Sequence, residues 1–145
     1  MAHFLLGGAH VVNQDYASAE SEFVKQLGVN SENSAIYKHI AFARFQQKDT
    51  AGAEAALKQG LEVLPDDTQL LLELINLYQS QQMEDKIVEV IRQGMKAHPD
   101  EQRFVLALAQ ISELKKDYEG AISVYEAHLE EHPDSLAVIN NLAVL

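Results

Sequence analysis

The sequence predicts an all-α fold built from a repeated pair of amphipathic helices, and three observations carry that prediction. Proline occurs only at Pro65, Pro99 and Pro133, each 34 residues from the next. Small and apolar residues recur at the same step in several independent columns, the mark of a repeat architecture. Within each unit the apolar positions fall three and four apart, which is the period of a one-sided helical stripe and not of a strand.

One column links Ala19, Ala53, Ile87 and Ala121, a second Phe23, Leu57, Ile91 and Tyr125, and a third Leu27, Leu61, Met95 and Leu129. Upstream, Leu6, Ile40, Leu74, Leu108 and Leu142 align, followed by Gly7, Ala41, Ile75, Ala109 and Ala143. Each unit carries two apolar stripes, as in Ile36, Tyr37, Ile40 and Ala43, then Ala53, Ala56, Leu57 and Leu61, and so predicts two helices. The polar breaks QQKDT, QQME and KKD separate first helix from second, while LPDD, HPDE and HPDS separate one unit from the next. Proline suits the second kind of break because it has no amide hydrogen and pushes the preceding residue out of helical backbone. Asp67, Asp100 and Asp134 are placed to cap or charge-stabilise the helix N-terminus that follows. The units predicted are 1–33, 34–67, 68–101 and 102–135, with 136–145 as the first helix of a fifth.

With small residues at the eighth and twentieth positions, a large apolar residue at the twenty-fourth and proline at the thirty-second, the whole chain resembles the tetratricopeptide repeat family. The fourth unit, with Leu108, Ala109, Ala121, Tyr125, Leu129 and Pro133, carries the resemblance best. It implies a right-handed α-α superhelix that is not an enzyme, needs no cofactor and binds a peptide or helix of a partner protein in its concave face. The stretch YEAHLEEHPDSLAVINNLA is also similar to repeats of large bacterial cell-envelope proteins of this family, including lipoproteins that accompany exopolysaccharide export. That similarity implies a segment of a larger assembly or export factor in a bacterial periplasm or envelope, with the cytoplasm as the alternative.

Departures from the pattern carry their own expectations. Ile75 and Ile87 stand where the family prefers small residues, which predicts wider helix separation in the third unit. Ser31 replaces the first proline, and His128 replaces a small residue, which predicts packing against the fifth-unit helix near Ile139 or Leu142. Counted from the prolines, residue 1 falls at the second position of a unit and Leu145 at the tenth of the fifth. The chain therefore reads as an excerpt of a longer one, and the uncapped LAVINNLAVL as a surface for self-association.

In the proteins this chain resembles, the second, fifth, ninth and twelfth positions of the first helices line the groove. Here they are Phe4, Gly8 and Val11; Ala35, Lys38, Phe42 and Phe45; Gln69, Leu72, Asn76 and Gln79; and Arg103, Leu106, Gln110 and Glu113. Lys38, Phe42, Phe45, Gln69, Leu72, Asn76, Arg103, Leu106 and Gln110 are the predicted binding residues. Phe42 and Phe45 lie outside the core columns, so either they await a partner or they pack on neighbouring first helices. The clamp by which chaperone-adaptor members hold a terminal carboxylate is broken, because Phe42, Glu73 and Ala107 occupy three of its five places. A structural spacer without a groove ligand is the alternative reading.

Other chemistries find little support. With 22 acidic against 11 basic residues and a net charge of −11, the chain repels phosphate backbones and anionic membranes. It has no cysteine for a disulfide, thiolate metal site or nucleophile. FLLGGAHVV is too short to span a bilayer and lacks a basic flank, and its glycines have no lysine after them to form a phosphate loop. His128, Glu131 and His132 have the spacing of an inverted zinc-hydrolase motif. The register instead puts His132 in a turn before Pro133, as His98 is before Pro99, and leaves no downstream third ligand, so no metal site is predicted.

Overall fold

In a computed structural model, described for residues 2–145, every regular element among the described residues is a helix. They are α1 (Ala2–Val12), α2 (Tyr16–Leu27), α3 (Ser34–Gln46), α4 (Thr50–Val63), α5 (Thr68–Ser80), α6 (Glu84–Ala97), α7 (Gln102–Leu114), α8 (Tyr118–Glu131) and α9 (Leu136–Leu142). The predicted helix pairs and the first helix of a fifth are all present. The chain divides into two compact units, Met1–Gln81 and Gln82–Leu145, and the division falls inside the third repeat. In the first unit each helix packs on its successor from α1 to α5, and α3 also meets α5; in the second, α6 to α9 do the same and α7 meets α9. Phe23, Ile36, Tyr37, Leu70 and Leu71 fill the first core, and Ile91, Phe104, Val105, Tyr125 and Val138 the second.

Two columns of caps punctuate the chain. Asp15, Asp49 and Asp117 precede the second helices and accept the amides of Ser18, Gly52 and Gly120 at 3.2, 2.8 and 3.0 Å. The residues just before this column, Gln14, Lys48, Gln82 and Lys116, all take positive φ, between 58° and 67°. That left-handed step costs a non-glycine residue about 1 kcal/mol. It lets the amides of Asp15, Asp49 and Asp117 reach back to the carbonyls of His10, Arg44 and Ser112, each at 2.9 Å, closing the first helix of the pair. In the third repeat Met83 holds the cap position and makes no side-chain bond, leaving Glu84 and Asp85 to complement the helix dipole.

The other column is Asn33, Asp67, Glu101 and Ser135, ahead of α3, α5, α7 and α9. Asp67 caps as predicted, accepting Leu70 N–H at 2.9 Å. Asp100 and Asp134 do not cap, because each lies one residue too early; Glu101 accepts Arg103 N–H, and the Ser135 hydroxyl donates to Gln102 Oε1 at 3.0 Å.

A second periodic feature explains His128. Gly60 lies against Leu70 and Tyr37, and a Cβ there would meet Leu70 Cδ1 and Tyr37 Cγ at 2.8 Å. Gly94, 34 residues on, would meet the Phe104 ring at 2.5 Å. Leu70 and Phe104 are themselves 34 apart, and the next members of the two columns are His128 and Val138, both buried. Where the second-helix residue grows from Gly to His, the first-helix residue shrinks from Phe to Val. Such volume exchange keeps a dense core without overpacking it. His128 is buried, and the ring beside it is that of His132, with ring centres 4.6 Å apart.

Candidate functional site

An apolar cavity of about 530 Å³ opens in the first unit. Its walls are Val11 of α1; Lys38, His39, Ala41, Phe42 and Phe45 of α3; Ala53 and Leu57 of α4; and Glu73, Asn76, Leu77 and Ser80 of α5. Helical spacing places Lys38, Phe42 and Phe45 on one stripe of α3, and Asn76 and Ser80 one turn apart on α5. Ala53 and Leu57, buried in the core columns, form the floor.

Phe42 and Phe45 are 42% and 39% exposed, an unusual state for residues beside an apolar cavity. Phe42 meets the edge of Tyr16, ring centres 6.1 Å apart. Lys38 Nζ donates to Gln69 Oε1 at 3.1 Å and lies 3.9 Å from Glu73, so its charge is largely answered within the protein. His39 stacks on Phe23 at 4.9 Å and meets the edge of Phe4 at 5.1 Å. Burial, with the Lys38 charge adding to it, pushes the His39 pKa below the ordinary histidine value, so the ring is neutral at pH 7.

Four of the nine predicted residues, Lys38, Phe42, Phe45 and Asn76, come together at this cavity. Gln69 stands at its edge as the Lys38 acceptor, and half-buried Leu72 is not in its wall. Arg103, Leu106 and Gln110 belong to the second unit. There Arg103 forks onto the Glu101 carboxylate at 2.8 and 2.6 Å, Leu106 packs on the core of that unit, and Gln110 is exposed. Phe4, read as a groove residue, is committed to Phe23 and His39. The walls the sequence reading missed are His39, Ala41, Ala53, Leu57, Leu77 and Ser80; Ala41, Ala53 and Leu57 stood in core columns and gave no separate signal.

The second unit has a polar cavity of about 430 Å³ bordered by Asp100, Gln102, His128, Glu131, His132, Pro133, Asp134 and Ser135. His132 Nε2 lies 3.5 Å from Asp100 Oδ1, and Glu131 is exposed. Burial first and the neighbouring His132 second hold the His128 pKa down, against Asp100 and Glu131. Among the described residues no group of three or more His, Asp or Glu side chains could hold a metal ion.

The tetratricopeptide repeat family model matches residues 88–135, in the second unit. No curated protein matches the chain. Among solved structures, one titled "Crystal structure of MamA" superposes with a TM-score of 0.69 at 18% identity, over 90% of this chain and 77% of that one. Another, "Crystal structure of MamA protein", gives 0.68 at 18% identity over 90% and 72%. A tetratricopeptide repeat protein from Parabacteroides merdae gives 0.68 at 16% identity, over 97% of this chain and 55% of that one. Residues 88–135 thus match the tetratricopeptide repeat model, and the chain shares its fold with these solved structures. No helix among the described residues is long and apolar enough to cross a membrane.

Proposed function

We propose that the cavity of the first unit binds an amphipathic helix of a partner protein, whose large apolar side chains enter between Phe42 and Phe45 on one wall and Leu77 on the other. The carrying observation is that two phenylalanines stay open to solvent at the mouth of an apolar cavity large enough for such side chains. A helix is favoured over an extended strand because its own amides are already paired. Of the polar wall groups, Lys38 is engaged by Gln69 and Glu73 and the Ser80 hydroxyl donates to Leu77 O at 2.6 Å, so the Asn76 amide is the main group the walls offer an unfolded backbone. Lys38 and Glu73, facing each other at 3.9 Å, form a polar rim that orients the helix without adding net charge. Within the longer scaffold or assembly factor that the sequence resembles, this unit would hold one component.

Selection from a library of helical peptides against the full chain tests the reading. Enriched peptides should carry apolar residues at i, i+3 or i+4, and i+7, and should bind a Phe42→Ala, Phe45→Ala double variant at least about 10-fold more weakly, as expected for central aromatic anchors. Equal binding to a double variant of unchanged helicity would refute it.

A further inference from the structure

Taking the first-unit cavity as the seat of a partner helix, we propose that this helix carries a lysine or arginine on its flank that pairs with Glu73. Lys38 and Glu73 together add no net charge, but they are unequally available. Lys38 is the more sheltered, its side chain 27% exposed against 43% for Glu73, and its ammonium already donates to Gln69 at 3.1 Å. At 3.9 Å Glu73 is beyond hydrogen-bond distance of that ammonium, and among the described residues its carboxylate accepts no other side-chain bond. The cation is satisfied within the protein; the anion faces outward.

Charge in the rest of the unit acts in the same direction. Residues 1–81 carry ten acidic and five basic side chains, and three of the five, Lys25, Arg44 and Lys58, are bonded to Glu22, Glu20 and Glu54 at 2.6, 2.7 and 2.7 Å. A cationic helix therefore approaches an attractive field and an anionic one a repulsive field. Helical spacing fixes where the cation belongs. Glu73, Asn76, Leu77 and Ser80 lie at i, i+3, i+4 and i+7, one stripe of α5 along the cavity wall. On α3, Lys38 precedes Phe42 by one turn and Phe45 by two, so the charged pair stands at one end of the cavity with the phenylalanines beyond it. The partner's cation then falls three or four residues from the large apolar side chain seated at Phe42. When it reaches Glu73, Lys38 keeps its Gln69 acceptor and is not stranded.

The probes are helical peptides selected on the full chain, each also made with its cation exchanged for glutamate. Peptides that bind through Phe42 and Phe45 should be enriched in lysine or arginine at that spacing, and their affinity should fall as salt is added. Glu73→Gln, at a half-buried position beside solvent, should keep the helicity of the parent, weaken binding about 3- to 5-fold and flatten the salt dependence, as loss of one rim ion pair does. Glu73→Lys should reverse the preference and bind the glutamate-exchanged peptide more tightly than the cationic original. Peptides that need Phe42 and Phe45 but carry no cation at that spacing, or that bind parent and Glu73→Lys equally, would overturn the pairing and leave the docking site standing. Binding indifferent to Phe42→Ala with Phe45→Ala would overturn both.

Discussion

The two units are built from the same repeat and present opposite surfaces. In the first, Phe42 and Phe45, outside the core columns, border an apolar cavity together with buried Leu77. In the second, the end of α8 carries the buried column residue His128 together with Glu131 and His132 beside a polar one. Phe42, Phe45, Glu131 and His132 are not dictated by the periodic core, which needs small and apolar residues only where helices meet. The difference teaches that signature columns define the fold and that binding chemistry must be sought between them.

The comparison can be broken most sharply at the column that runs Gly60, Gly94, His128. Gly94→His should push a ring into Phe104 and cost about 1–3 kcal/mol by overpacking, read by chemical denaturation. Adding Phe104→Val recreates the pairing of His128 with Val138. The double variant should then be more stable than the two single changes sum to, by a coupling of about 1 kcal/mol or more. Strict additivity would mean that the exchange of volume between the columns has no energetic content.

A smaller effect is expected at Tyr125, whose hydroxyl donates to Glu113 Oε1 at 3.0 Å. Tyr125→Phe should cost about 1 kcal/mol, since half-buried Glu113 regains water. Burial first, then the Glu113 bond and charge, push the Tyr125 pKa up to about 12 from an ordinary 10. A raised folded-state pKa gives stability that is complete below pH 10 and is lost as pH climbs from 10 toward 12. The phenylalanine variant should therefore lose less stability across that window than the parent. Least in size, Met83→Asp should restore the cap that Asp15, Asp49 and Asp117 supply elsewhere and raise the melting temperature, for a gain of about 0.5–1 kcal/mol. A fall would show that the α6 N-terminus is set by something other than its cap.

Much of the fold was legible because its period is long and redundant. Helix pairs follow from the apolar columns, and the turns from Pro65, Pro99 and Pro133. The capping column was harder to read: Asp66, Asp100 and Asp134 are the true 34-residue series, while the caps are Asp67, Glu101 and Ser135, one residue later and chemically varied. The repeated aspartate is not the residue that does the capping. Phe42 and Phe45 were legible as aromatics outside the core. The cavity floor was not, since Ala53 and Leu57 serve core and cavity with the same side chains, and periodicity cannot separate two uses of one residue. The roles of Lys38 and Arg103 also depended on partners beyond the pattern, Gln69 and Glu73 for one and Glu101 for the other.

The proposal that a partner helix docks in the first unit is tested most directly by fluorine NMR on chain carrying 4-fluorophenylalanine, whose five probes fall at Phe4, Phe23, Phe42, Phe45 and Phe104. Titration with a selected amphipathic peptide should move the Phe42 and Phe45 resonances most while leaving Phe104, fully buried in the other unit, unchanged. Saturating binding with Phe42 and Phe45 unmoved would contradict the account.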